Sequence, residues 1–313
     1  MPNKYIGEGS YGCVIKPGIK CKKYISNNTV SKFFNNKKTW LYEIKSYNII
    51  KNILNKPYLI NLIDYCPVNK NLKILNKNCT LFKQNKKKYN IIYEYDGIDL
   101  YKIVKKNSLN FKNIFFKFKN IFETINLLNK KHFIHFDLRL PNILYNNKKK
   151  LLKVIDYGLM FNAKNKKILE KVKKIKSHHI YYLPFEFNKN NQIKLYDRIK
   201  YLIRDNNSYY YNNDIKINHL NKILKLLFDN TKINIKSKIN VYKIDIYMSG
   251  IVLLEALIYS YINSNYILNK QEFDIIFNFI KKLINPNVTK RPLIKKVLNE
   301  YNNILYLIKK NTP

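Results

Sequence analysis

Acidic residues are scarce in this chain of 313 residues: 20 Asp and Glu stand against 59 Lys and Arg, a formal net charge of +39. An imbalance of that size attracts nucleic acid, anionic membrane surfaces or acidic proteins. Coding biased toward A and T is another source of it, since Lys, Asn, Ile, Tyr and Phe are all abundant. Cysteine is rarer still. Cys13, Cys21, Cys66 and Cys79 contain no Cys-x-x-Cys pair, which excludes a zinc ribbon and a dense disulfide framework. Reduced thiols in an intracellular protein are the expectation. Long apolar runs are missing as well. The longest, Ile251 to Tyr259, is broken by Glu255 and too short to span a bilayer, so a buried helix is expected there. There are no internal repeats, and Met1-Pro2-Asn3-Lys4 shows no signal-peptide pattern, so a soluble product is expected.

What is present is a folding sequence, with 46% hydrophobic and 14% aromatic residues. Its length allows two lobes, each with its own core. Gly7-Glu8-Gly9-Ser10-Tyr11-Gly12-Cys13-Val14 fits G-x-G-x-x-G-x-V, and glycines let backbone amides close over phosphates without Cβ clashes. The flanks Tyr5-Ile6 and Val14-Ile15-Lys16 read as strands, so the glycines cap a hairpin. A dinucleotide fold would place them at a strand-to-helix turn instead. Lys32 lies in the β-prone run Thr29 to Phe34. The helical stripe Trp40, Ile44, Tyr47, Ile50 and Leu54 follows over Lys38 to Leu54, with Glu43 at its edge. Glu43 is the only acidic residue between Lys32 and Asp64, so a half-buried Lys32–Glu43 pair is expected to fix the ammonium against phosphates.

Leu59 to Cys66 and Tyr89 to Tyr95 read as further strands, separated by the polar stretch Asn69 to Lys88. Tyr95-Asp96-Gly97 then turns into a linker, where backbone groups from Glu94 to Asp96 are expected to be free for adenine. Phe111 to Lys131 reads as one amphipathic helix. It leads to His135-Phe136-Asp137-Leu138-Arg139-Leu140-Pro141-Asn142. Asp137 and Asn142 can face one point from a tight loop, and Asp156-Tyr157-Gly158 follows the strand-like Leu151 to Ile155. A proton acceptor, an amide oxygen and a second carboxylate are what metal-assisted phosphoryl transfer needs, with Asn142 and Asp156 holding Mg²⁺. Residues 159–182 are basic, with lysines from Lys164 to Lys176. The stretch 187–243 is rich in Asn, Lys and Tyr and carries no assignable role. Helices are expected after Asp245, over Glu272 to Leu283, and from Arg291-Pro292 to about Ile308.

In this order the motifs resemble the eukaryotic-type protein kinase family, Ser/Thr kinase-like, over nearly the whole chain. They comprise the glycine loop, Lys32, Glu43, Asp137 with Asn142, Asp156-Tyr157-Gly158, Glu186, Asp245 with Gly250, and Arg291. The wording Gly-Ser-Tyr-Gly-Cys-Val-Ile-Lys-Pro is most similar to kinases of large DNA viruses. The resemblance implies an α+β bilobal fold: a small β-rich N-lobe over 1–96 and a larger, mainly helical C-lobe over 97–313, with an insertion at about 187–244. It implies ATP in the cleft and phosphoryl transfer to protein hydroxyls. Asp137 would be the base, with Lys32 and Arg139 beside it as catalytic candidates, and Asn142 and Asp156 would bind Mg²⁺. Nucleotide contacts would come from Gly7, Glu8, Gly9, Ser10, Tyr11, Gly12, Val14, Val30, Lys32, Glu43, Glu94, Asp96 and Leu144. Glu186–Arg291 and Asp245 would be structural.

Three departures bear on specificity and control. Phe136 replaces the usual arginine beside the catalytic aspartate, so no guanidinium receives an activation-loop phosphate; constitutive competence is expected, independent of Ser177 or Tyr181. Arg139 stands where Ser/Thr kinases carry lysine, and His179 where they usually keep threonine. The lysines of 164–176 suggest acidic or pre-phosphorylated substrates. The alternatives are a catalytically weak pseudokinase scaffold and a basic nucleic-acid-associated protein, whose binding would weaken steeply with salt.

Overall fold

The structure, a computed structural model, describes residues 3–9, 12–21, 26–55, 57–68, 79–80, 87–167, 170, 182–184, 186–187, 190–205, 214–232, 239–263 and 267–310. It divides into two compact units, Met1–Gly97 and Ile98–Pro313. The fold class is α+β.

The first unit is a five-stranded antiparallel sheet of order β1-β2-β3-β5-β4 with one helix. Its strands are β1 (Lys4–Gly9), β2 (Gly12–Lys16), β3 (Thr29–Phe34), β4 (Leu62–Val68) and β5 (Lys88–Glu94). Strand register sorts the side chains onto two faces, because neighbours in a strand alternate. Val14 pairs with Lys32 and Phe34 with Tyr89, which puts Val14, Val30, Lys32 and Phe34 on one face. Helix α1 (Lys37–Ile50) covers that face through Trp40 and Ile44 against Phe34 and Ile91. It starts at Asn36, whose side chain accepts from the N–H groups of Lys38 and Thr39 and so satisfies two otherwise orphaned donors. Cys13, Ile15 and Phe33 pack together on the opposite face.

That second face overturns the expectation of free thiols. Cys13 is bonded to Cys79 and Cys21 to Cys66, with Cα atoms 6.2 and 5.7 Å apart. The pairs are 66 and 45 residues apart in sequence, and only the folded sheet brings them together. Residues 17–21 cross the sheet: Ile19 N–H donates to Ser31 Oγ at 2.7 Å, Asn90 Nδ2 donates to Ile19 O at 2.9 Å, and Cys21 reaches β4.

The second unit is mainly helical. Helix α2 (Leu100–Lys105) follows the two-residue strand β6 (Ile98–Asp99). The helix expected over 111–131 is two: α3 (Phe111–Lys117) and α4 (Lys119–Lys130). The ladder shortens at Phe118, whose N–H bonds to Phe115 O at 3.0 Å, so the apolar stripe continues through a local break. Strands β7 (Phe133–Ile134), β8 (Ile143–Asn146), β9 (Leu151–Val154) and β10 (Phe161–Asn162) carry the loops between them. Helices α5 (Asn191–Asp205) and α6 (Asp214–Thr231) lie in the stretch 187–243, which carried no assignable role.

The core of this unit is α7 (Ile244–Asn263), buried from Ile244 to Ile262. A helix apolar on every side belongs in a protein interior. Among the described residues no helix is long and apolar enough to cross a membrane. Gly250 lets α7 approach the end of α8 (Lys270–Leu283): a Cβ there would meet Ile284 Cγ2 at 2.6 Å and Leu283 Cβ at 2.8 Å. Helix α9 (Ile294–Lys310) closes the core, with Tyr301 among Phe115, Phe122 and Phe279.

Candidate functional site

In the first unit β1 and β2 form the hairpin, in which Gly9 pairs with Gly12. Gly12 is required by space, since a Cβ on it would lie 2.1 Å from Phe33 O of the neighbouring strand. Gly7 pairs with Val14, and Glu8 accepts from Thr80 through both its N–H, at 3.1 Å, and its hydroxyl. Ser10 and Tyr11 lie outside the described residues. Lys32 Nζ donates to Glu43 Oε1 at 2.8 Å, and Tyr93 Oη donates to the same oxygen at 3.3 Å. Both charged side chains are about five-sixths buried, with 17% and 12% exposure. The pair is therefore screened less than a surface pair and holds the ammonium in one place.

At the end of β5 the linker differs from expectation. Glu94 N–H donates to Asn61 O at 2.9 Å and Tyr95 N–H to Asn28 O at 3.0 Å. These two donors are thus already engaged within the unit and are not free for adenine. The Glu94 carboxylate accepts from Asn61 Nδ2 at 3.2 Å, and Asp96 is buried.

In the second unit the loop after β7 is anchored from beneath. Asp245, fully buried at the start of α7, accepts from the backbone N–H groups of His135 at 2.8 Å and Phe136 at 2.9 Å. Burial pushes its pKa up to about 6, while those two N–H groups pull the other way. The buried His135 ring spans two segments: Nδ1 faces Asp137 N–H at 3.2 Å and Nε2 faces Ile155 O at 3.1 Å. An N–H at Nε2 and a lone pair at Nδ1 satisfy both contacts, which defines a neutral tautomer. Burial agrees, lowering its pKa to about 4. His135 therefore ties the loop to the chain just before Asp156 and is not suited to carry a proton near neutrality.

Asn142 Nδ2 donates to Asp137 Oδ2 at 2.8 Å and to Asp137 O at 2.9 Å, and Arg139 Nε lies 3.3 Å from Asp137 Oδ1. Asn142 O accepts from Ile155 N–H at 2.9 Å, continuing the β8–β9 ladder into the residue before Asp156. Asp156 has φ 62°, a left-handed conformation uncommon for a residue with a Cβ. Phe136 shares it at φ 66°. Asn142 uses its amide hydrogens on Asp137, which turns its amide oxygen to the role of acceptor. An amide oxygen and a carboxylate on adjacent segments are hard donors of the kind Mg²⁺ takes, so these residues fit that ion. Leu144, Val14 and Val30 are half-buried in their own units.

Of what surrounds this loop, the sequence pointed to the Glu186–Arg291 pair and not to the aromatic packing or to the Arg198–Glu255 pair. Phe136 packs against Phe161 and Phe187, with ring centroids 5.4 and 5.8 Å away. Glu186 and Arg291 form a two-pronged ion pair, Nη1 to Oε1 at 2.9 Å and Nη2 to Oε2 at 3.1 Å. The carboxylate of Glu255, wholly buried in α7, accepts from Arg198 Nε of α5 at 3.0 Å and from Tyr182 Oη. A helix in the unassigned stretch thereby holds the segment at 182. Nothing in local spacing signals an ion pair between residues 57 positions apart.

A glycine hairpin, a strand lysine clamped by a helix glutamate, and a loop that sets an aspartate, an asparagine and a second aspartate on a buried helix define a protein kinase domain. The chain belongs to the protein tyrosine and serine/threonine kinase family, whose model matches residues 2–197. It is 28% identical to cyclin-dependent kinase 12 of Drosophila melanogaster over 167 residues, 50% of this chain and 13% of that protein. It is 30% identical to calcium-dependent protein kinase 3 of Plasmodium yoelii yoelii over 159 residues, 49% of this chain and 26% of that protein. Calcium-dependent protein kinase 5 of Plasmodium falciparum matches at 27% over 171 residues, 53% and 27% of the two chains. The matched region thus spans between 13% and 27% of the length of these relatives.

Proposed function

We propose that this protein is a Mg²⁺- and ATP-dependent protein kinase that phosphorylates protein hydroxyls, those of Ser and Thr in particular. The observation that supports this most is the pair of hydrogen bonds that Asn142 Nδ2 donates to Asp137, beside the backbone hydrogen bond that Ile155 N–H donates to Asn142 O. Together they hold a base and two metal-type oxygen donors on neighbouring segments. Asp137 accepts the proton of the substrate hydroxyl as its oxygen bonds to the γ-phosphorus; the bond from that phosphorus to the bridging oxygen breaks and ADP leaves. Asn142 and Asp156 hold Mg²⁺, which when bound neutralises charge on the phosphate oxygens. Arg139 steadies the Asp137 carboxylate. In the first unit Lys32, braced by Glu43, balances the α- and β-phosphates. Residues of the Gly7–Gly12 hairpin cover the phosphates, and Val14, Val30 and Leu144 pack on adenine. Glu94 and Asp96 serve the linker.

The aromatic packing of Phe136 supports competence without activation-segment phosphorylation, since an aromatic cluster occupies the place of a phosphate-reading arginine. Residues 171–181, which include Ser177, His179 and Tyr181, lie outside the described residues, and so does much of the lysine-rich run. The lysines support acidic or pre-phosphorylated substrates. The wording of the glycine hairpin supports kinship with kinases of large DNA viruses. Helices α5 and α6 are read as the added element at about 187–244. A net charge of +39 also favours a second reading, association with nucleic acid, for which binding must fall steeply with added salt.

The test is transfer of radiolabelled γ-phosphate to mixed Ser, Thr and Tyr peptides with Asp137→Ala as control. Label on Ser or Thr that disappears in the variant is the expected result. Label on Tyr alone overturns the substrate class, and no transfer despite Mg·ATP binding favours a scaffold.

A further inference from the structure

We infer that the Cys13–Cys79 bridge is a redox modification site that sets how firmly the glycine hairpin holds nucleotide. The inference deepens the kinase reading and rests on it. Cys13 immediately follows Gly12, and its side chain lies on the face of the sheet opposite Lys32, as the pairings Val14 with Lys32 and Cys13 with Phe33 require. On that face residues 79 and 80 are bolted across both strands of the hairpin. Cys79 is covalently joined to β2, while Thr80 donates through its N–H and its hydroxyl to Glu8 of β1. The bridge therefore fixes the hairpin beside its glycine turn while leaving the Lys32 face untouched.

The two bridges are built differently. Cys13 and Cys79 are 0% and 1% exposed within a small apolar cluster, so a dithiol reaches them only when residues 79 and 80 open locally from the hairpin, whereas Cys21 and Cys66 are half-exposed and pin the segment that crosses the sheet. Only the buried bridge touches the hairpin. The Glu8 carboxylate lies within 4.8 Å of both buried sulfurs, an arrangement that also suits a metal in the reduced protein. In the structure both Glu8 oxygens accept from Thr80 and the sulfurs are bonded to each other.

Opening the bridge takes two electrons and two protons from a dithiol, which leaves as its own disulfide, and yields two thiols on the protein. Closing it runs in reverse, with a peroxide or a small disulfide as the electron acceptor. An oxidised hairpin is ordered before nucleotide arrives, so less freedom is lost on binding. The oxidised protein should therefore bind Mg·ATP on the order of three- to tenfold more tightly than the reduced protein.

The experiment uses the full chain purified without reductant. Alkylation and peptide mapping give the thiol state, and calorimetric titration with Mg·ATP gives affinity before and after dithiothreitol. The expected result is a Cys13–Cys79 linkage in the map and weaker binding once it opens. A Cys13→Ser/Cys79→Ser variant should match the reduced wild type and ignore dithiothreitol, while Cys21→Ser/Cys66→Ser should keep the response. The reductant arm needs no substitution, and far-UV circular dichroism before and after dithiothreitol must be unchanged, so that weaker binding reports a loosened hairpin and not an unfolded first unit; loss of that signal on reduction overturns the inference. Equal affinity with the bridge open and closed overturns the inference, as do free or metal-bound Cys13 and Cys79 in the isolated protein. Failure to bind Mg·ATP in either state overturns the kinase reading itself.

Discussion

Replacing Arg291 with methionine should cost a large part of the domain's stability. Its side chain and that of Glu186 are both 0% exposed, joined through two parallel bonds. Nε donates to Asn285 O at 3.0 Å, and the guanidinium lies 4.9 Å from the ring centroid of Tyr247. Arg291→Met leaves a carboxylate buried without its partner, for which the cost is about 3–5 kcal/mol. That is a large part of the ~5–15 kcal/mol that holds a domain folded. For a unit of this size it corresponds to a fall of roughly 6–20 °C in Tm. Removing both charges in Glu186→Leu/Arg291→Met should recover most of the loss, because two well-packed apolar groups carry no desolvation cost. Urea unfolding followed by tryptophan-independent far-UV signal, with the single and double variants side by side, measures the coupling. A single-variant loss below about 1 kcal/mol, or a double variant no better than the single, would refute the reasoning, because a pair so buried cannot be energetically silent.

Other outcomes follow from the same geometry. Asp245 has a folded pKa raised to about 6, so between pH 4 and 6 the native state holds a proton that the unfolded chain has lost. Its contribution to stability therefore falls as pH rises through that window. His135, lowered to about 4, works in the opposite sense, adding stability as pH rises from 4 toward its ordinary value. In denaturant titrations at several pH values, wild type should exceed Asp245→Asn by most at the acidic end; a difference that does not change with pH contradicts this. Phosphatase treatment should leave activity unchanged, since Phe136 is packed among aromatics; a loss of tenfold or more contradicts that. Reducing either disulfide should lower the stability of the first unit by about 4 kcal/mol, the loop-closure value for separations of 66 and 45 residues, and thermal melts with and without reductant measure it.

Much of the fold was legible because local signals agreed. The glycine spacing stood between β-prone flanks, and Glu43 was the single acidic residue available to Lys32, which it meets at 2.8 Å. The apolar run after Asp245 matched a helix buried on every side. Where the sequence misled, long-range geometry decided. Cysteine spacing carries no pattern once the partners are 66 and 45 residues apart, so the bridges could not be seen. The apolar stripe over 111–131 ran on across Phe118 and hid the break between α3 and α4. The linker donors of Glu94 and Tyr95 looked available only because their acceptors, Asn61 O and Asn28 O, lie on distant loops. Helix α5 was invisible among Asn, Lys and Tyr, and the Arg198–Glu255 pair that secures it spans two helices. Roles that depend on acceptor position, such as His135 bridging Asp137 and Ile155, are set only by the folded arrangement.

The central claim is that Asp137 performs the proton step while other residues hold the nucleotide. Single-turnover transfer from prebound Mg·ATP to a peptide hydroxyl, measured for wild type and Asp137→Ala together with nucleotide affinity, tests it most directly. Affinity should be nearly unchanged in Asp137→Ala and the rate lowered on the order of 10²-fold or more. Equal rates in the two proteins would contradict it.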